Sequence, residues 1–198
     1  MIEFIDVSFP PALENFNFRV DKGEFFFLVG KTGAGKTTTI KLASFEIPPK
    51  SGEVIVMGLS SKVITLKKRR FLFKKTGLFL ENPLFLEDVS VVNNLLYVLK
   101  CDRDTALESL NAVGLLDKRD VKPAEMSRGE RDLLQIAILY AKKPFLALLD
   151  DPTAFVADKK WEIMELIMEL HGLGTTVLLA TKDEEVIERY HHRRMYLL

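Results

Sequence analysis

The chain has 198 residues, 47% of them hydrophobic, enough apolar side chain for a packed core and too much for a disordered polymer. Its 28 Lys and Arg balance 28 Asp and Glu, which excludes a general nucleic-acid-coating protein but leaves room for a local basic patch. The single cysteine, Cys101, has no intrachain partner and points to a reducing compartment, and no apolar run approaches the roughly 18 residues of a membrane-spanning helix. Met1 to Val7 alternates like a strand rather than reading as a signal peptide. The expectation is a cytosolic globular domain that reaches a membrane through a partner.

Ile2 to Val7 predicts a first strand, and Phe16, Phe18 and Val20 share one face of a second, with Asn17 and Arg19 opposite. After the turn Asp21-Lys22-Gly23-Glu24, the run Phe25 to Val29 reads as a strand buried on both faces. Helical periodicity begins after Gly35 and stops at Pro48-Pro49-Lys50-Ser51-Gly52, and Glu53 to Met57 gives another short strand. Lys67 to Arg70, with Lys74 and Lys75, form a basic cluster. It reads first as a solvated face, with anionic headgroups or an acidic partner as the functional alternative. Nucleic acid is not expected, because Phe71 and Phe73 are a thin stacking platform. From Pro83 to Lys143 the signals are almost all helical: Ser90 is placed to cap a helix through Leu99, and Asp102 or Asp104 the next, which Gly114 ends. Ser127 opens a third, running to about Ala141. Strand and helix then alternate through Phe145–Leu149, Trp161–Leu170, Thr176–Ala180 and Asp183–Arg189, with a last strand near Met195. Trp161, Met164, Ile167 and Met168 read as core packing, and His191-His192 as a surface turn. The pattern predicts one α/β domain: a core at residues 1–82 and 144–198, mostly parallel sheet with an N-terminal antiparallel portion, and an inserted helical subdomain at 83–143.

Gly30-Lys31-Thr32-Gly33-Ala34-Gly35-Lys36-Thr37 fits G-x-x-x-x-G-K-[ST] between a buried strand and a helix. Glycines let the backbone wrap until its N–H groups face a polyphosphate, and the helix adds its positive dipole end. Lys36 is the residue to meet the β- and γ-phosphates of ATP, Thr37 offers a hydroxyl to Mg²⁺, and Thr38 stands beside it. Five apolar residues then end in Asp150, the second acid that a P-loop NTPase core needs for its metal. Asp151 follows, placed to polarise an attacking water. Ser127 and Glu130 have the S-x-x-E spacing of a capping box.

Met126-Ser127-Arg128-Gly129-Glu130, some twenty residues before Asp150, resembles the signature loop of the ABC-type ATPases, and with Asp151-Pro152-Thr153 the resemblance covers essentially the whole chain. Val113-Gly114-Leu115-Leu116-Asp117-Lys118 looks most like the cell-division members of that family, with lipoprotein-release and macrolide-export ATPases close by. The resemblance implies an ATP-dependent homodimer in which Ser127, Gly129 and Glu130 meet the partner's nucleotide, while Phe9 packs against adenine. It also implies an integral-membrane, permease-like partner docked near Glu81 to Leu86, and a peripheral place at the inner membrane face. The chain departs from the family pattern at several positions. Glu81 replaces a Gln yet remains an oxygen ligand for Mg²⁺, Asp151 replaces the Glu that activates water, and Lys182 replaces a γ-phosphate-sensing His. Arg128 replaces a signature glycine, and Ala157 precedes Asp158 where the family carries an Asp. Binding parts intact beside altered catalytic parts predict tight ATP binding with slow hydrolysis, or a non-catalytic ATP switch. A DNA-repair ATPase would carry sustained heptads, which are lacking, and a small-molecule kinase would leave the Ser127 loop without a use.

Overall fold

The computed structural model describes residues 1–81, 83 and 85–197. The hairpin of β1 (Ile2–Phe9) and β2 (Leu13–Val20) buries Phe4, Phe18 and Val20 on one face. Phe16 and Phe18 lie with ring centroids 5.9 and 4.6 Å from that of Phe4, cross-strand packing that fixes the register. The chain leaves this sheet through β3 (Phe25–Val29) and α1 (Lys36–Ala43), then returns with β4 (Ser51–Val56) and β5 (Leu59–Ser60). The result is a four-stranded antiparallel sheet in the order β2-β1-β4-β5. Next come α2 (Leu66–Lys75) and β6 (Thr76–Phe79), a helix and a strand absent from the elements expected above.

Among the described residues between β6 and β7 (Leu146–Asp150), every regular element is helical. These are α3 (Val91–Asn94) with a π-helical turn at Leu95–Leu99, α4 (Arg103–Ala112) and α5 (Arg128–Lys142). Ser90 precedes α3 as expected, but its side chain makes no cap bond. The buried Asn94 amide ties that end instead, accepting from Leu86 N and donating to the carbonyls of Leu86 and Val89. Asp102, rather than Asp104, caps α4 by accepting from Thr105 N at 2.8 Å. The chain then forms α6 (Lys160–Gly172), β8 (Thr176–Thr181), α7 (Glu184–Arg189) and β9 (Arg193–Tyr196).

The second sheet is parallel throughout, in the order β6-β7-β8-β3-β9. The interiors of its central strands, Phe25–Val29, Leu146–Leu149 and Val177–Ala180, are unbroken apolar runs because each face has its own core. Phe25 and Phe27 of β3 join Ala147, Leu149, Val177 and Leu179 on the face covered by α5 and α6. Phe26 and Leu28 join Leu146, Leu148, Leu178 and Ala180 on the face covered by α1 and the antiparallel sheet. Met164 and Ile167 of α6 are core, as their stripe predicts. His192 departs from the surface-turn expectation. Its ring stacks on Phe25 with centroids 4.6 Å apart and meets His171 edge-on at 5.4 Å, because β9 must lie beside β3 and draws the preceding residue inward. No described helix is long and apolar enough to cross a membrane.

Candidate functional site

The loop between β3 and α1 turns through two glycines in the left-handed region, Gly33 at φ +87 and Gly35 at φ +95. A side chain at Gly35 would also place its Cβ 2.8 Å from the Ala12 carbonyl oxygen, so both torsion and space demand glycine there. Lys36 turns into this loop and donates from Nζ to the carbonyls of Gly30 at 2.6 Å and Lys31 at 2.9 Å. Burial lowers its pKa, while the charges of Asp151 and Asp150 act to raise it.

The loop opens on a cleft of about 370 Å³ at the C-terminal end of the parallel strands, where ligands sit in open α/β sheets. Thr32, Gly33 and residues Gly35 to Thr38 line one wall. Gly30, Lys31 and Ala34 face a separate depression on the other side of the loop. Glu81, Asp150, Asp151 and Lys182 complete the cleft. Burial pushes the Asp150 carboxyl above its ordinary value, and the neighbouring carboxylates of Asp151 and Glu81 push in the same direction. The Thr37 hydroxyl and the Lys36 ammonium pull it back.

Asp151 sits at φ +52, with its N–H on the Ala180 carbonyl at 2.8 Å. Its Oδ1 accepts from the Thr181 hydroxyl at 3.0 Å. The carboxylate is thus held against β8. Lys182, one residue on, is exposed.

Three further residues line the cleft: Asp132 and Phe155, to which the sequence assigns nothing, and Arg128, which it marks only as the replacement of a signature glycine. Arg128 and Asp132 come from the first turns of α5 and Phe155 from the loop after Asp151. The Arg128 guanidinium lies 3.5 Å from the centroid of the Phe155 ring, a cation–π contact. Asp132 is buried, which raises its pKa, with Arg128, Gln135 and Arg131 offsetting. The i, i+4 spacing of Arg128 and Asp132 is the signal that would have joined them. Gln135 links this helix to the strand end at Glu81: its Oε1 accepts from Leu80 N at 3.0 Å and its Nε2 donates to Asp132 Oδ1 at 3.3 Å.

Ser127, Gly129 and Glu130 stand at the N-terminus of α5, outside the cleft lining. The capping box forms, Ser127 Oγ accepting from Glu130 N at 3.4 Å and Glu130 Oε2 from Ser127 N at 2.9 Å, and Lys118 pairs with Glu130. Ser127 itself is exposed. Phe9 also lies outside the cleft lining, partly buried against the core of the N-terminal sheet, with the Lys50 ammonium 5.9 Å from its ring centroid.

Comparison with known proteins gives a consistent family. The family described as "ABC transporter" matches residues 13–154. The cell division ATP-binding protein FtsE of Mycobacterium tuberculosis is 31% identical over 191 residues, covering 92% of this chain and 83% of the relative. The methionine import ATP-binding protein MetN 1 of Listeria monocytogenes is 30% identical over 187 residues, covering 90% of this chain and 55% of that protein. Among solved structures, a dimeric ATP-binding cassette in a post-hydrolysis state, bound to ADP and Pi, superposes with a TM-score of 0.87 at 25% identity, over 100% of this chain and 94% of the other.

Proposed function

Because the chain belongs to the ABC transporter family, we propose that it binds Mg-ATP in the Lys36 cleft and closes as an ATP-dependent homodimer. Slow hydrolysis would then drive or gate an integral-membrane, permease-like partner. The observation that carries this reading is the convergence of Lys36, Thr37, Glu81, Asp150, Asp151 and Lys182 on one cleft beside the α1 N-terminus. FtsE-type relatives favour a role in cell division. A place at the cytoplasmic face of the membrane follows from such a role, and a lipoprotein-release or export system is the alternative within the family.

On ATP binding, Lys36 exchanges the Gly30 and Lys31 carbonyls for the β- and γ-phosphates, whose remaining charge meets loop N–H groups and the α1 dipole. Thr37, Asp150 and Glu81 would offer oxygen donors to a divalent cation, whose charge would relieve the buried Asp150 carboxylate of the nearby charges of Asp151 and Glu81. Mg²⁺ bound there supplies charge neutralisation on the phosphates. Asp151 takes a proton from the attacking water, and ATP and water become ADP and phosphate. Lys182 offers a donor to the γ-phosphate and no acceptor to orient that water. The exposed Ser127 and the half-buried Gly129 and Glu130 are the surface offered to the partner subunit's nucleotide, and Phe9 is the ring offered to adenine. In this reading residues 1–82 and 144–198 act as the core and 83–143 as a helical subdomain that rotates against it. The bond that holds Asp151 to Thr181 favours a second reading, a switch that signals by ATP occupancy alone.

Calorimetry on the purified protein tests the assignment. Lys36→Ala should weaken Mg-ATP binding by at least about tenfold, the loss of a charge-assisted contact. Equal affinity in the variant would remove Lys36 from the phosphate site and the proposal with it.

A further inference from the structure

Six of the ten residues of α2 are Lys or Arg and none is acidic. Among the described residues none of these six joins an ion pair, although the chain as a whole is neutral. The helix rests on the core through one buried side chain, Leu72, at 2% exposure. Its end is pinned by Lys142 of α5, which donates to the carbonyls of Phe73 at 2.8 Å and Thr76 at 2.7 Å.

At about 100° per residue, the side of α2 opposite Leu72 carries Lys67, Arg70 and Lys74. Phe71 flanks them on one edge, and Leu66 and Phe73 on the other. These flanking side chains stand in water at 52%, 77% and 48% exposure respectively. The patch continues onto Phe145, also exposed, with the Lys75 ammonium 4.9 Å from its ring centroid. Bulky apolar side chains bordering a row of cations on an outward helix face are costly in water and suit a bilayer interface. There the rings enter the headgroup layer and the long basic side chains reach phosphate.

We propose that α2 is a membrane-surface element that docks this protein directly on anionic lipid headgroups, with Phe71 and Phe73 entering the interface. Charge complementarity selects a polyanion, and shape selects a lipid surface over an acidic peptide. The row of Lys67, Arg70 and Lys74 lies on the convex outer face, and the helix N–H groups are spent within the helix, so it offers no strand edge to a peptide. The groove that Phe73 and Lys74 share with α5 is lined mainly by apolar side chains and does not select an acidic one. The inference needs neither nucleotide nor partner subunit, and so stands or falls apart from the ATPase reading.

The test is co-sedimentation of the nucleotide-free protein with vesicles of phosphatidylcholine alone and of phosphatidylcholine mixed with phosphatidylglycerol. Wild type should bind the mixed vesicles and not the neutral ones, and release as salt screens the charges. Each Lys or Arg near such a surface contributes about fivefold. The variant Lys67→Gln, Arg70→Gln, Lys74→Gln should therefore lose on the order of 100-fold in partitioning. Phe71→Ser with Phe73→Ser should lose about tenfold. All five positions are exposed and outside the nucleotide cleft, so circular dichroism and Mg-ATP affinity should match wild type. No binding of the folded wild type to mixed vesicles, or equal binding by the Gln variant, overturns the proposal. So does capture by soluble polyglutamate in preference to vesicles, which would assign the patch to an acidic protein.

Discussion

Replacing Asp151 by Glu should speed hydrolysis, and the geometry gives the size of the effect. The Asp151 carboxylate is drawn back to the Thr181 hydroxyl at 3.0 Å, and a Glu carboxylate reaches about 1 Å further into the cleft. A misplacement of that order costs roughly 100-fold in rate, or about 2.7 kcal/mol of activation free energy. Asp151→Glu should recover up to that factor, and Lys182→His should add to it by supplying an acceptor for the same water. The exchange has a separate cost. Asp151 lies at φ +52, a region that Asp tolerates better than Glu, so stability should fall by about 1 kcal/mol. The assay is steady-state phosphate release at saturating Mg-ATP, at protein concentrations where the dimer is shown to form, with thermal melts alongside. A double variant that dimerises and still turns over no faster than wild type would refute the placing of water between Asp151 and Lys182. The occupancy switch would then be the better reading.

Ser127→Asp keeps an N-cap acceptor for α5 but sets a carboxylate where the partner's γ-phosphate would arrive. ATP-induced dimers should disappear in sizing experiments while the melting temperature and monomer affinity hold. Gly129 is a poorer probe of the same contact, since its Cβ would already lie 3.2 Å from the Phe155 carbonyl oxygen. Burial and the nearby His171 hold the pKa of His192 below its ordinary value of 6.5. Stability from this residue is therefore present above pH ~6.5 and lost as pH falls towards the lowered folded-state value; chemical denaturation of His192→Phe should show a flatter acid limb than wild type. Gly52 sits at φ +83, and any Cβ there would overlap the Asp6 carbonyl. Gly52→Ala should thus destabilise by at least about 2 kcal/mol, read as a lower denaturation midpoint.

Legibility followed how locally each feature is determined. β3, β7 and β8 were readable because burial on both faces leaves unbroken apolar runs, and the turn from β3 into α1 because its glycines are fixed by torsion. The start of α5 was equally plain, since a capping box lies within four consecutive residues. By contrast, α2 has a single buried side chain, so no apolar period marks it as a helix. The Asn94 amide that replaces the Ser90 cap, and the stacking of His192 on Phe25, depend on neighbours that tertiary packing alone supplies. In the cleft, the motif residues were legible, whereas Asp132 and Phe155 required knowing how α5 lies against the loop after Asp151. Position along the first strand points to Phe9, whereas the β1–β2 hairpin sets that ring outside the cleft lining.

The place of β3 in its sheet has a consequence for the growing chain. Its neighbours are β8 and β9, more than a hundred residues later in the sequence. A ribosome that has released the first sixty residues has already supplied every strand of the antiparallel sheet. The hydrophobic strand that leads into the Lys36 loop, however, still has no partner on either side. It gains them after the segments around Thr176 and Arg193 emerge, and until then Phe25 and Phe27, whose cover comes from α5 and α6, are a sticky, exposed surface. Phosphate binding is thus assembled late in synthesis although its residues are made early, so a translational pause before β8 would favour aggregation over partial activity.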